Sequence, residues 1–544
     1  MAQLDPEQRC AVESPPGPVR VLAGPGSGKT RVLTERVIHR IEAGTADARR
    51  TMVLTFTRRA AGELGRRLHA GGVRDVGAVG TFHATALQQL RLHRLDRGRR
   101  PPVILANRSA VLRGLAGDLG LANASRQVTA AERALAVGRS HRVSPPVARL
   151  LQAYREHKRR KGLLDYDDLL TECSRLLNTD RDFARAQRWR FRHFYVDEFQ
   201  DVNHNQFELL RAWLGDRDDI FVVGDPDQSI YEWNGSDSRY LTEFNTWFPD
   251  ATTFELKLNH RSAATVVSAA NTLLSGSGGS SEAVRPPGPA LTVTDHEDED
   301  AEAAEIARRL LWDHRGSARW SGRAVLTRTN AQLSVIADAL TRAGIPHRVR
   351  GRDRISTRPE EAELLDRLRS SGPSFGVAVT DLVVEGSGSE AHQRVLDLAR
   401  EYTAGTTAPS GPGFAQWLRT MSASDIDDHA DVVDLCTFHS AKGLEWHGVI
   451  IAGVENGLVP MGDNPEERRL FYVAMTRAVA SLHLSWARRR RVGSRVVDRQ
   501  PSPFLAGITP LTEPPAPARE EQRRHHLEIA RRALAAEGPT DRCR

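Results

Sequence analysis

Val19–Thr30 reads VRVLAGPGSGKT, and the fold follows from it. The first five residues are an apolar, β-branched run of the kind that forms a buried strand. Behind them, KTRVLTERVIHRIEAG has helical periodicity and closes at Gly44. A glycine-rich turn between strand and helix lets the backbone wrap a phosphate with its N–H groups pointing inward, and the helix N-terminus adds positive potential. Ala23, Gly24, Gly26, Ser27 and Gly28 are the expected cradle. Lys29 is expected on the β/γ-phosphates and Thr30 on Mg²⁺. The general pattern has glycine where this chain has Ala23; the rest fits a nucleoside triphosphate site.

Such a site needs an acidic partner on a neighbouring strand. Phe194–Asp201, FYVDEFQD, is an apolar run that ends in Asp197-Glu198. Asp197 is expected to hold Mg²⁺ and Glu198 to act as general base on the attacking water. An acidic pair at a strand end is often only a helix cap, and the upstream AGPGSGKT gives this pair its catalytic reading. Met52–Thr57 and Ile220–Asp225 are further strands. Strands alternating with helices argue for a parallel α/β sheet.

The strands vanish between about residues 86 and 186, an arginine-rich stretch with helical pattern. A second α/β section begins near 255, with strands expected at 323–329, 433–439, 448–453 and 481–487. It is interrupted by SGSGGSSEAVRPPGP (275–289) and TAGTTAPSGPG (403–413), and residues 371–429 are weakly patterned. A charged helix is expected beyond residue 511.

At 544 residues the chain is too long for one core, and about 150 residues per domain suggests three or four units. Apolar residues at 40% and charged residues at 27% are ordinary globular usage, which argues against wholesale disorder. No stretch has the roughly 18 apolar residues of a membrane span, and no signal peptide is visible. Four scattered cysteines without a C-x-x-C pair suit free thiols in the cytoplasm. The net charge of +7 permits a polyanionic partner without establishing one. Only 5 of the 76 cations are lysines, yet Lys29 and Lys442 fall inside motifs. The basic runs 91–100, 155–161 and 487–495 are either nucleic-acid faces or solvated helix faces.

DEFQD, followed by VVGDPDQSIYEWNGSD (222–237), resembles the UvrD/Rep/PcrA family of superfamily 1 DNA helicases. LDPEQ (4–8), LTFTRRAAGEL (54–64), VGTFH (79–83) and LDYDDLL (164–170) extend the resemblance. LKLNHRS (256–262), VLTRTNAQ (325–332), TFHSAKGLEW (437–446) and EERRLFYVAMTRA (466–478) continue it in order. GLEW, LSWA and PSPFLAGI are most similar to the actinobacterial second UvrD-like branch.

The resemblance implies two RecA-like lobes with ATP between them. The first would be 1–85 with 187–260, carrying a helical insertion at 86–186. The second would be 261–370 with 430–510, carrying a shortened insertion at 371–429, and a charged tail would follow at 511–544. Gln8 would read adenine, with Arg31 and His260 against the base and Glu445 on the ribose. Gln228 would sense the γ-phosphate, and Arg261 and Arg477 would be arginine fingers. Phe56, Tyr231 and Trp233 would stack on single-stranded DNA, with Thr81, His83, Arg328, Asn330 and His439 as polar contacts. The implied activity is ATP-dependent 3′→5′ translocation on single strands and at duplex junctions, in repair or replication.

The sequence departs from the family pattern in three ways. His260 replaces a tyrosine, which implies weaker ATP binding and pH-dependent base discrimination. The short second insertion implies limited unwinding and keeps open a protein remodeller on DNA as an alternative. Asn234 and Thr327 stand where a basic residue and a tyrosine are common. A fused nuclease is disfavoured, because only about 65 residues follow the last motif.

Overall fold

A computed structural model describes residues 4–508 except 106, 137–142, 275–280, 315–318, 351–358, 387–388, 405–408, 419–430 and 494. The expected charged tail lies outside these residues. The chain divides into two compact units. One is the chain up to Leu258 with Gly351–Asp427; the other is Asn259–Arg350 with the chain from Asp428 onward. No helix among the described residues is long and apolar enough to cross a membrane.

The first unit is built on six parallel strands: β1 (Val19–Ala23), β2 (Thr51–Thr55), β3 (Ala78–Thr81), β4 (His193–Val196), β5 (Ile220–Gly224) and β6 (Thr252–Leu256). Their order is β3-β2-β4-β5-β1-β6. Every residue of β2 and β5 is buried. This is why they read as unbroken apolar runs: a parallel sheet is covered on both faces. Met52 and Leu54 pack on one face with Phe82, Leu169, Phe207 and Trp213. Val53 faces the other way, with Val32, Val37 and Leu64.

The helical insertion is smaller than its sequence limits. Ala86, Leu90, Leu169, Leu170 and Cys173 belong to the core of the sheet. The separate core is made by Leu112, Ala116, Val128, Leu150, Leu151 and Tyr154. Strands do not vanish entirely there, because Val103–Ile104 pairs in parallel with Leu163–Leu164.

The described residues of the weakly patterned segment are helical. Helices Pro359–Ser370, Phe375–Glu385, Glu390–Ala404 and Gly411–Leu418 share a core of Leu365, Leu368, Phe375, Leu396, Ala399, Tyr402 and Phe414. The start expected at 371 therefore lies one helix too late, since Leu365 and Leu368 already belong to this core. The segment belongs to the first unit. Helix Phe375–Glu385 is apolar on its buried and exposed sides alike, with Val377, Val383 and Val384 exposed, so its periodicity is weak and the common core shows only in three dimensions.

The second unit has a seven-stranded sheet: β7 (Thr292–Asp298), β8 (Arg323–Thr327), β9 (His347–Val349), β10 (Val433–Thr437), β11 (Trp446–Ile451), β12 (Ala478–Val492) and β13 (Arg495–Asp498). The order is β7-β12-β11-β8-β10-β9, all parallel, with β13 antiparallel on β12. Strand Leu258–Ala263 carries His260 and Arg261. His260, assigned by sequence to the first lobe, therefore falls in the second unit.

Candidate nucleotide site and nucleic-acid recess

β1 ends at Ala23 and the chain turns through Gly24–Gly28 into helix Lys29–Glu42. Gly28 has φ 84°, a left-handed conformation that favours glycine. A Cβ there would lie 2.8 Å from Gln8 Nε2. Gln8 is buried against the loop, donating to Ser27 O at 2.8 Å and accepting from Asp5 N at 3.2 Å. Ser27 Oγ donates to Gly24 O at 2.7 Å and closes the turn. Lys29 Nζ donates to Ala23 O (3.0 Å) and Gly24 O (3.2 Å) and lies 3.8 Å from Asp225. Arg31 is partly exposed in the first helical turn.

Thr30 Oγ1 donates to Asp197 Oδ2 at 2.9 Å. Asp197 is 3% exposed. Burial and the neighbouring Glu198 push its pKa up to about 7, against the pull of Thr30 and Lys29. A buried carboxylate held this way calls for a cation. A hydroxyl and a carboxylate oxygen are the hard donors that Mg²⁺ takes alongside phosphate oxygens, so these two residues fit it.

Glu198 has φ 53°. A non-glycine residue in that region costs on the order of 1–3 kcal/mol and persists only where its surroundings enforce it. Gln200, fully buried, does so from one side. Its Nε2 donates to Glu198 Oε2 at 2.6 Å and its Oε1 accepts from Asp225 N at 3.0 Å. Asp225 Oδ2 in turn accepts from Gln228 Nε2 at 2.6 Å. Burial raises the Asp225 pKa, opposed by Lys29. Gln200 and Asp225 carry no role in the sequence reading, although both sit inside quoted motifs. Their signal was a polar residue in a motif without an assigned task.

At the ends of β2 and β3, Phe56, Thr81 and His83 line one recess of about 220 Å³ with Arg58, Tyr166 and Leu169. Phe56 also leans on Phe82, ring centroids 6.0 Å apart, and so is half core and half wall. Thr81 Oγ1 caps the following helix through Ala84 N. His83 lies 5.1 Å from the Tyr166 ring, and burial pushes its pKa down to about 4. Tyr166, Arg58 and Leu169 were not singled out from sequence. Tyr231 and Trp233 stand together on a separate turn, centroids 6.3 Å apart, with Trp233 58% exposed.

In the second unit, Arg261 Nε pairs with Glu445 Oε2 at 2.6 Å. Arg477 is buried, with Nε donating to Val473 O at 2.9 Å and Nη1 to Leu444 O at 3.2 Å. His260 is exposed on its strand. Arg328 makes a two-pronged pair with Glu467 (2.6 and 3.1 Å). Glu467 was another unassigned residue. Burial and Arg328 push the His439 pKa down to about 4. Asn330 begins helix Asn330–Arg342.

The basic run 487–495 is neither a solvated helix nor an open cationic face over its arginine stretch. Residues 487–492 belong to strand β12, and Arg488–Arg491 meet the acidic stretch after Thr294. Arg488 pairs with Asp295, Arg489 with Glu297, and Arg491 with Glu299 and Asp300. Arg490 is buried between Glu302 (2.5 Å) and Glu455 (2.6 Å). In the run 155–161, Lys158 turns inward onto Asp165 (2.7 Å) and Asp168 (2.5 Å).

A glycine loop between strand and helix, its lysine, and a threonine held to a strand-end aspartate define a P-loop NTPase, here with two RecA-like α/β lobes. The UvrD/REP helicase N-terminal domain matches residues 4–134 and 120–249, and the UvrD-like helicase C-terminal domain matches 254–372 and 398–489. The chain belongs to the UvrD-like helicase family. It is 36% identical to the ATP-dependent DNA helicase UvrD2 of Mycobacterium tuberculosis, over 94% of this chain and 82% of the relative. It is 29% identical to DNA helicase II of Escherichia coli, over 93% and 87%. It is 28% identical to the ATP-dependent DNA helicase UvrD1 of Mycobacterium bovis, over 93% and 85%.

Proposed function

We propose that this protein is an ATP-dependent DNA helicase whose ATPase is stimulated by single-stranded DNA, and that it moves 3′→5′ along one strand in repair or replication in the cytoplasm. One observation carries the reading. Strand β2 lies between β3 and β4. The carboxyl ends of β2 and β3 carry the recess with Phe56, Thr81 and His83, while the end of β4 carries Asp197 and Glu198. Ligands of open α/β sheets bind at such carboxyl ends. Neighbouring strands of one sheet can therefore join hydrolysis to strand movement.

In this reading the loop amides and Lys29 grip the phosphates. Thr30 and Asp197 would hold Mg²⁺, which supplies charge neutralisation on the β- and γ-phosphates. Glu198 takes the proton of the attacking water, and Gln228 reports the γ-phosphate to Asp225 and Gln200. Arg261 and Arg477 neutralise transition-state charge, an effect worth roughly 10³–10⁵ in related reactions. Gln8, Arg31, His260 and Glu445 hold the nucleoside. Phe56, Tyr231 and Trp233 stack on bases, with Arg328, Asn330 and His439 as polar contacts.

The test is ATPase with and without single strands, alongside unwinding of 3′- and 5′-tailed duplexes, with Glu198→Gln as the inactive control. DNA-independent ATPase would reject the motor, and unwinding from 5′ tails alone would reverse the polarity. Strong DNA-dependent ATPase with negligible strand displacement would favour the second reading, a protein remodeller on DNA. The brevity of helices Pro359–Leu418 gives that reading its support.

A further inference from the structure

Helix Gly411–Leu418 brings Trp417 over the guanidinium of Arg58, with Cζ 5.3 Å from the ring centroid. Arg58 opens helix Arg58–Ala70 and lines the recess that holds Phe56 and His83. The tryptophan is itself held in place. It stacks on Phe414 (5.8 Å, 20° between planes) and leans on Tyr402 (5.7 Å), and both belong to the core of the short helical segment. One cluster of aromatics in the segment thus holds the ring that meets an arginine of the recess.

We propose that Trp417 is a positioning residue for Arg58, and that the short helical segment helps the recess grip a backbone phosphate of single-stranded DNA. This rests on the recess being part of the strand path. A guanidinium on an aromatic ring is engaged through its flat face, whereas it binds phosphate through N–H groups in its plane. Stacking therefore fixes the direction of those donors without competing for the phosphate. A long arginine at a helix start has many rotamers, and holding one of them removes an ordering cost from each encounter with the strand. The alternative, Trp417 as a lid that must leave before the strand enters, predicts the opposite sign.

The experiment measures affinity of the full chain for a labelled oligothymidylate across a range of salt. Trp417→Leu keeps an apolar side chain and removes the ring, and should weaken binding roughly two- to five-fold. Trp417→Tyr keeps a ring and should bind as the native chain does. Arg58→Ala should flatten the salt dependence by about 0.7 in log–log slope, the share of one phosphate contact on a single strand. The double variant Arg58→Ala/Trp417→Leu should bind no more weakly than Arg58→Ala, because the ring acts through the arginine. Tighter binding by Trp417→Leu, additive losses, or a tyrosine variant as weak as the leucine variant would each overturn the proposal. Phe56→Ala separates the two levels. If it leaves affinity unchanged, the recess is off the strand path and the parent reading falls too. If it weakens binding while Trp417→Leu does not, only the role of Trp417 falls.

Discussion

Replacing Gln200 by leucine should cripple ATP hydrolysis while leaving the phosphate loop intact. Gln200 bridges Glu198 and the backbone of Asp225 through hydrogen bonds of 2.6 and 3.0 Å. Leucine is similar in volume and removes both bonds. The bond to Glu198 is made to the proposed general base, inside a buried cluster, and bonds to charged groups are worth about 1.5–3 kcal/mol. If that bond holds Glu198 in its left-handed conformation at the transition state, losing it lowers kcat about ten- to hundred-fold. KM for ATP should move less, because the loop amides, Lys29 and Thr30 are untouched. Close approach adds a control. A Cβ at residue 224 would lie 2.6 Å from Gln200 Oε1 and 2.7 Å from Leu241 Cδ2, so Gly224→Ala should displace both side chains and lower kcat at least as much. Steady-state ATPase with saturating single strands reads both parameters. A kcat within two-fold of native for Gln200→Leu would refute the idea that this glutamine holds the base.

Arg490→Met leaves Glu302 and Glu455 buried without their cation, and should cost the second lobe about 3–5 kcal/mol; a loss below about 1 kcal/mol in urea denaturation would contradict the buried pairing. His83 and His439 are both held near pKa 4, below the unfolded value of about 6.5. At these two sites the unfolded chain therefore binds more protons below pH 6.5, and their contribution to stability is full above that pH and falls as pH drops toward 4. The loss is on the order of 1–2 kcal/mol per histidine at pH 5. His83→Gln should remove part of this acid sensitivity, and a difference between the pH 7.5 and pH 5 midpoints that is the same in the native chain and the variant would refute the burial account. His260→Tyr offers adenine a larger ring and should lower KM for ATP relative to GTP; an unchanged ratio at pH 6 and pH 8 would show that the imidazole does not face the base.

Local chemistry made much of the first unit legible. Strand, glycine turn and helix at 19–42 are contiguous, and each depends on residues within a few positions of itself. The buried strands β2 and β5 declare themselves because a two-sided parallel strand has no polar alternation to confuse it. Helices Pro359–Leu418 are harder to read, because their core is shared among four. The insertion limits were misread for the same reason, since Leu169 and Leu170 look like any helical pair until the sheet they cover is in place.

By itself, then, the sequence determined the phosphate loop, the strand-end acids and the family, because these depend on ordered local motifs. Tertiary structure alone decided the rest. It placed Gln200 between Glu198 and Asp225, 25 residues apart from the latter in sequence. It set Arg488 and Arg489 against Asp295 and Glu297 of β7, and Arg490 and Arg491 against acids of helix Glu299–Asp313, almost 200 positions upstream, which turned a candidate DNA face into a ladder of ion pairs. It also seated Trp417 on Arg58. The reason is common to all three: charge and hydrogen-bond partners are chosen by distance in space, and only the folded sheet sets those distances.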